Sequence, residues 1–326
     1  MLKIAFAITS RNYLAQTKIA VGSFLHFNPN FEVFIFNIDN ETYESNAIWD
    51  NPNISHEFIR AVDFENKDIL RSKYNNFEFC NAIKPYLCSW LFEHYKETDL
   101  VIYLDSDLVF YNEITLEEEL SNHQIIITPH SLSKFPLDNH LTSELDILNS
   151  GLYNAGFFIV SNSSNGRQFL EWWKSRTLKY CYVDFEKGMF VDQIWLNFAP
   201  IYFESVLVLK NPGYNVAHWN LHERRISGES EWLVNEAYKL VFFHFSGFSF
   251  DDIDKISIHQ DRYNLGNRND LNSLFKKYKS DYTANIKLID SLIGRERKPM
   301  LDFKKIEKKM LKWKVKIEKI IKIIFS

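Results

Sequence analysis

Apolar residues fall in short, near-continuous runs separated by stretches with helical spacing, and the two kinds alternate along most of the chain. "LKIAFAIT" is a run of the sort buried on both faces of a sheet, and the polar "SRN" ends it. A helix is predicted over "YLAQTKIAVGSFLHF", with Pro29 just beyond it, and "FEVFIFNID" reads as a second strand. Strand, helix, strand in that order predicts a βαβ unit and a parallel sheet covered by helices. "NAIKPYLCSWLFEHY" reads as helical after Pro85, followed by strands over "DLVIYLDSD", "HQIIITPH" and "LYNAGFFIVSN". Phe169, Trp172, Trp173 and Leu178 put helical spacing on "NGRQFLEWWKSRTLKYC", and "GMFVDQIWLNFAP" reads as a short helix ended by Pro200. "VLVLKNPGYNVAHWN" is a strand running into a loop, and "YKLVFFHFSGF" is a strand that breaks at Ser246 and Gly247. Beyond about Asp251 the strand pattern fades and short helices are expected. The chain therefore divides into an α/β body over residues 1–250, a helical extension over 251–294 and a last segment over 295–326.

That last segment has its own pattern. Phe303, Ile306, Met310, Trp313, Ile317, Ile320 and Ile324 recur at spacings of three and four, one face of a helix. Lys304, Lys305, Lys308, Lys309, Lys312, Lys316, Lys319 and Lys322 fill the other faces. Residues 295–326 hold twelve Lys/Arg and four Asp/Glu, a charge of +8, so a net charge of −4 leaves −12 on the rest. A basic amphipathic helix with a tryptophan on its apolar side fits an anionic membrane surface. Packing on the body or pairing as a short coiled coil is the alternative, although coiled-coil flanks usually mix charge signs.

Composition changes this picture little. With 326 residues, 46% hydrophobic and 25% charged, the chain has room for one large α/β domain or two smaller ones. Cys80, Cys88 and Cys181 form no CxxC and leave one unpaired in any disulfide scheme, which points to a reducing compartment. The apolar run before Arg11 is short for a signal peptide and no run approaches 18 apolar residues, so a cytoplasmic protein held at the inner face of the plasma membrane is expected. Nucleic acid is not an expected partner, because the acidic body would repel a second contact surface.

The chemistry gathers at strand ends. In "VIYLDSDLVFYN" a buried strand runs into Asp105 and Asp107, which would project to the same face if the strand continued. Nineteen aspartates make about one Asp-x-Asp expected by chance, and a second one, Asp252 to Asp254, has no strand before it. Open α/β sheets bind ligands at the carboxyl ends of their strands. Hard divalent cations take one or two carboxylates together with substrate phosphates. Two aspartates at this place thus predict a divalent cation carrying a diphosphate, the alternative being caps on the following turn. Mn²⁺ accepts a nitrogen ligand better than Mg²⁺ does, and His244 ends a strand where it can offer one or else sit satisfied in the core.

Several motifs in order resemble the GT-A glycosyltransferases that use a nucleotide-sugar donor, of the retaining family 8 type and its bacterial relatives in surface-polysaccharide synthesis. They are "AITSRNYL" for the base loop, "YLDSD" for the metal, "YNAGFFIV" for the strand facing the donor sugar, "DQIWLN", and "HFSG" for the start of a His-x-x-Gly motif. Together they cover roughly Lys3 to Phe248. The resemblance implies a Rossmann-like nucleotide-sugar-binding domain, a mixed and mostly parallel sheet flanked by helices. It implies metal-dependent transfer of a hexose, with retention, from a nucleoside diphosphate sugar, UDP above all, to a glycan or lipid-linked acceptor in polysaccharide or lipopolysaccharide synthesis. Asp105, Asp107 and His244 would hold Mn²⁺ or Mg²⁺. Thr9, Asn12, Tyr13, Lys84, Asp105, Ser106, Asn154, Ala155, Gly156 and Gly247 would meet the donor, with Asp192 and Gln193 as the catalytic pair. Two departures stand out: no basic residue follows Gly247 in "HFSGFSFDD", and Ser10-Arg11 precedes Asn12 where that family often has an acid.

Read on their own, these residues keep other meanings. Tyr13 can stack on a base or pack at a helix start, Lys84 can reach a diphosphate or lie along the surface, and Asp192-Gln193 can face a sugar or end a helix. His218, Asn220, His222, Arg224 and Arg225 crowd one stretch that either binds an acceptor or phosphate or is an exposed loop. Two rival functions remain. A sugar nucleotidylyltransferase needs a glycine-rich loop after its first strand, which "AITSRNYL" lacks. A non-catalytic glycan-binding protein on the same scaffold has no need of Asp105, Asp107 and His244 together.

Overall fold

A computed structural model of the chain describes residues 2–294 apart from 40–42, 44–46, 229–230 and 253. The amphipathic segment predicted over 295–326 lies outside the described residues. Seven strands carry the fold's labels here: β1 (Leu2–Thr9), β2 (Glu32–Asn37), β3 (Ile54–Phe58), β4 (Thr98–Leu104), β5 (Leu108–Phe110), β6 (Ile125–Pro129) and β7 (Tyr153–Ser161). The main sheet runs in the order Val206–Val208, β6, β7, β4, β1, β2, β3. Its pairs are parallel except on the two sides of β7, which runs against its neighbours β4 and β6. The sheet is thus mixed and mostly parallel, and helices cover it, as expected.

β1 lies inside the sheet because its residues suit both faces. Ala5 and Ala7 are small enough for helix Leu14–Phe27 to close down on them, with Leu14, Ala15, Val21 and Phe24 in the same cluster. Phe6 points the other way and meets Phe36, Tyr103 and Phe158. Trp173 of helix Ser164–Tyr180 covers that second face by packing edge-on to Phe158. Truncating such a buried ring to alanine costs about 3–5 kcal/mol. Helix Leu14–Phe27 stops where Asn28 N–H bonds the Phe24 carbonyl, directly before Pro29.

A second, three-stranded sheet positions the chemistry. β5 pairs antiparallel with Phe242–His244, which pairs parallel with Val216–Ala217. Leu108 lies opposite His244, and Ala217 lies on its other side.

Three expectations change. Asp105 and Asp107 do not continue a strand: β4 ends at Leu104, and residues 105–107 turn before β5 begins. Pro200 begins helix Ala199–Tyr202 instead of ending one, since its missing N–H costs nothing in a first turn. Beyond Asp251 the described residues hold a single 3₁₀ turn, Asn269–Leu271, that leads into a 22-residue helix, Asn272–Ile293, where several short helices were expected. Its apolar stripe, including Leu274, Phe275, Tyr278 and Ile289, is interrupted in sequence by lysines of the exposed face. Among the described residues no helix is long and apolar enough to cross a membrane.

Candidate functional site

The turn after β4 is tied from both sides. Asp105 N–H bonds the Gly156 carbonyl on β7 at 2.8 Å, and the Asp107 carbonyl accepts from Phe245 N–H at 2.9 Å. His244 therefore arrives beside the turn, its Nε2 2.9 Å from Asp107 Oδ1 and 3.8 Å from Asp105 Oδ2. Ligand atoms of Asp105, Asp107 and His244 all lie within 4.8 Å of one another, the one such group of three His, Cys, Asp or Glu among the described residues. Asp252 and Asp254, the second Asp-x-Asp, are exposed; Asp254 N–H donates to Asp252 Oδ1, and the Asp254 carbonyl accepts from Leu265 N–H.

Electrostatics bind the three together. Burial works to raise Asp107, but His244 beside it holds the carboxyl below its ordinary range. Burial works to lower His244, and Asp107 and then Asp105 outweigh it, so the imidazole is raised. Gly156 leaves the room they occupy: a Cβ there would stand 2.6 Å from both Asp105 Oδ2 and His244 Cε1. Two carboxylates and an imidazole converging on one small space are a donor set that could hold a divalent cation.

Lys84 is not a surface lysine. It opens helix Lys84–His94, is 2% exposed, and donates to the Ala155 carbonyl at 3.1 Å. Asp192 Oδ2 lies 3.3 Å from its Nζ and Asp105 Oδ1 3.8 Å, while the Tyr103 ring lies 4.6 Å beneath it. Burial opposes the charge on Lys84, yet Asp105 and Asp192 together raise its pKa. Asp192 rises too, to about 6: it is fully buried, shares its cation and feels Asp105. Burial is the main cause of the Asp192 rise, with Asp105 adding to it and Lys84 opposing it. Neither Asp192 oxygen has an aligned hydrogen bond.

Gln193 is committed to the protein. Its Oε1 accepts from Asn154 Nδ2 and Ala155 N–H, each at 3.1 Å, and its Nε2 donates to the Ser150 carbonyl. Asn154 Oδ1 in turn accepts from Gly156 N–H at 3.1 Å. The pair Asp192-Gln193 thereby holds Lys84 and the Asn154–Gly156 strand in place. Thr9 Oγ1 lies 2.7 Å from Thr17 Oγ1, and Thr17 bonds back to the Tyr13 carbonyl, which shapes the Arg11–Tyr13 turn. Asn12 and Tyr13 are half-buried on that turn. Burial, then the charge of Asp107, pushes the Tyr13 hydroxyl up to about 12. Ser106 is half-buried at the turn tip, and Gly247 has a left-handed φ of 66° three residues past His244.

The stretch after Ala217 is not an exposed loop. Asn220 is fully buried and donates to the carbonyls of His130 and Asn215. Arg224 is 2% exposed; it donates to the Tyr214 carbonyl and pairs with Glu223, so its guanidinium supports the core. His218 is buried near the site, His222 is half-buried against Phe135, and Arg225 is exposed. Sequence reasoning passed over Tyr103, whose hydroxyl donates to Asp105 Oδ1 at 2.7 Å, although period-two alternation puts it on the Asp105 side of the strand. It also passed over Trp219, whose ring lies between His218 at 4.9 Å and His244 at 5.1 Å, and over His259. Only tertiary contact brings those two to the site.

No protein-family model matches the chain. Two proteins of Bacillus subtilis (strain 168) are similar to it in sequence. The uncharacterized protein YfnF is 26% identical over 258 residues, 78% of this chain and 84% of its own length. The uncharacterized protein YfnD is 23% identical over 249 residues, 74% of this chain and 76% of its own. Among solved structures, the galactosyltransferase LgtC in complex with donor and acceptor sugar analogs aligns with a TM-score of 0.49 at 14% identity, over 91% of this chain and 98% of that one. The glycosyltransferase GlyE of Streptococcus pneumoniae TIGR4 aligns with a TM-score of 0.49 at 16% identity, over 89% of this chain and 62% of that one.

Proposed function

We propose that this chain is a metal-dependent glycosyltransferase of the GT-A type, which moves a hexose from a nucleoside diphosphate sugar to a glycan or lipid-linked acceptor in bacterial surface-polysaccharide synthesis. The observation that carries the reading is the convergence of Asp105, Asp107 and His244 at the carboxyl end of β4, with Gly156 leaving the space between them. UDP as the nucleotide and retention at the anomeric carbon belong to the same reading and rest on the motif order.

Asp105, Asp107 and His244 would hold the cation, which when bound supplies positive charge to a diphosphate leaving group. The other residues bind and orient. Lys84 keeps a buried positive charge between Asp105 and Asp192 and fixes the Asp105 carboxylate beside the Tyr103 hydroxyl. Gln193 and Asn154 stiffen the β7 end that would face the donor sugar, so both act as positioning residues. Asp192 and Lys84 support the same strand end from beneath, buried against it. The Arg11–Tyr13 turn, with Asn12 and Tyr13, would hold the base. Holding donor groups in one pose removes orientation entropy from the transfer step.

In this reading residues 1–250 are the catalytic part, 251–294 a helical extension and 295–326 a basic helix on an anionic membrane surface. A thermal-shift screen of UDP-, GDP-, ADP- and CDP-sugars with and without Mn²⁺ tests the function, because a ligand of the folded state raises apparent stability. Stabilisation by one nucleoside diphosphate sugar only when Mn²⁺ is present supports it, and no response to any of them refutes it.

A further inference from the structure

Beside the cation site lies a second group of imidazoles for which the proposed function has so far given no use. Gly247 packs directly against His259: a Cβ on Gly247 would stand 2.4 Å from His259 Cδ2 and 2.9 Å from its Nε2. The contact is built, since Ile258 N–H bonds the Gly247 carbonyl at 2.9 Å and Ser257 Oγ donates to the Ser246 carbonyl at 2.8 Å. Ser257 Oγ also accepts from His259 N–H at 3.1 Å, which fixes the backbone beneath the exposed His259 ring.

The His218 ring lies 5.9 Å from that of His259, follows the strand paired with His244, and is 8% exposed. Its Nδ1 has no hydrogen-bond partner, and neither does Nε1 of Trp219, the ring between His218 and His244. Buried polar atoms without a protein partner are uncommon in folded proteins and call for a water, an ion or a ligand. Burial, then the neighbouring His259, His244 and His130, pushes His218 well below its ordinary value, so its neutral ring keeps one N–H to donate.

Charge says what binds. Asp105, Asp107 and Asp192 carry three negative charges, and Lys84 with a divalent cation carries three positive ones, so the site is neutral before a donor arrives. A diphosphate adds at least two more negative charges, and between His244 and His259 the sequence offers one basic side chain, the exposed Lys255. Phosphate oxygens accept hydrogen bonds from imidazole N–H groups whether or not the ring is charged.

We propose that His259 and His218 form the anion-binding wall that receives the terminal phosphate of the nucleoside diphosphate. This rests on the glycosyl-donor reading, and the test separates the two. UDP, GDP, ADP and CDP are titrated calorimetrically into the full chain with Mn²⁺, and the base that binds is then compared as diphosphate and monophosphate. The measurement is repeated with His259→Ala and His259→Lys. The melting temperature of each variant is measured beside wild type, so that a loss of binding is read only where the fold is kept.

The expected result is about tenfold weaker diphosphate binding in His259→Ala, the loss of about one hydrogen bond to a charged group. Monophosphate and Mn²⁺ affinities stay at wild-type levels, and His259→Lys restores diphosphate binding. Wild-type diphosphate affinity in His259→Ala, or an equal loss for diphosphate and monophosphate, overturns the inference while leaving the glycosyl-donor reading intact. A wild-type chain that binds none of the four diphosphates removes that reading, and this inference with it.

Discussion

Gly156→Ala adds a single methyl at the point where the candidate ligands converge. Its Cβ would meet Asp105 Oδ2 and His244 Cε1 at 2.6 Å and Asn154 Oδ1 at 2.8 Å, where ordinary contact begins near 3.4 Å. Asp105 and His244 must therefore each retreat by about 0.8 Å, the difference between those distances. Metal–ligand distances tolerate about ±0.2 Å, so at least one of the two leaves the reach of a shared ion. Losing one charged partner costs about 1.5–3 kcal/mol, which weakens Mn²⁺ binding by about 10- to 150-fold. Overpacking of this size lowers stability by about 1–3 kcal/mol, so the fold survives. The free-ion electron paramagnetic resonance signal of Mn²⁺ measures the affinity directly, and urea unfolding measures the stability. Gly22→Ala is the control: it lies in helix Leu14–Phe27 with nothing within 4 Å of the new Cβ. It should leave Mn²⁺ binding unchanged and raise stability by up to about 1 kcal/mol. Wild-type Mn²⁺ affinity in Gly156→Ala would mean that the ion, if it binds, does not sit between Asp105 and His244.

Lys84→Met should lower stability by about 3–5 kcal/mol, because it leaves Asp192 buried without its cation; Lys84→Met with Asp192→Leu should recover much of that in urea unfolding. Acid should destabilise the protein through His130, which burial lowers from 6.5 to about 4. The unfolded chain then binds a proton that the folded one refuses, so stability is lost as pH falls through that window. The loss is at most about 3 kcal/mol, and a urea-unfolding pH series on wild type and His130→Phe isolates it. Deleting residues 295–326 should abolish co-sedimentation with anionic vesicles; the full chain's attachment should weaken with salt without vanishing, since its apolar face is insensitive to salt.

Much of the fold was legible because its signals are local. The buried runs in β1, β2, β4 and β7 and the helical spacing of Phe169 and Trp173 need no knowledge of the rest of the chain. Asp105, Asp107 and His244 were legible as ligand types at strand ends, although the turn that brings the aspartates together differs from the expected strand. What was missed depends on distant contacts. Lys84 carries nothing in its own neighbourhood to separate a buried ammonium from a surface one; Asp105 and Asp192, 21 and 108 residues away, decide it. Arg224 and Asn220 are polar and so read as candidate ligand-binding groups, but the partners that hold them include the main-chain carbonyls of Tyr214, His130 and Asn215, whose positions only the fold reveals. The long helix Asn272–Ile293 was read as short pieces, since lysines on its exposed face interrupt the apolar residues in sequence though not in space. His259 reaches the site through the left-handed turn at Gly247, and no spacing rule connects it to His244.

The central claim is that Asp105, Asp107 and His244 hold a divalent cation that serves a nucleoside diphosphate sugar. It is tested most directly by following nucleoside diphosphate release from the donor sugar that stabilises the chain. The assay compares wild type and Asp107→Asn, each with Mn²⁺ and with EDTA. The account predicts release by wild type only with Mn²⁺ and a loss of at least about 100-fold in Asp107→Asn, about 3 kcal/mol for a missing charged ligand. Release that persists in EDTA, or that Asp107→Asn leaves unchanged, would contradict it.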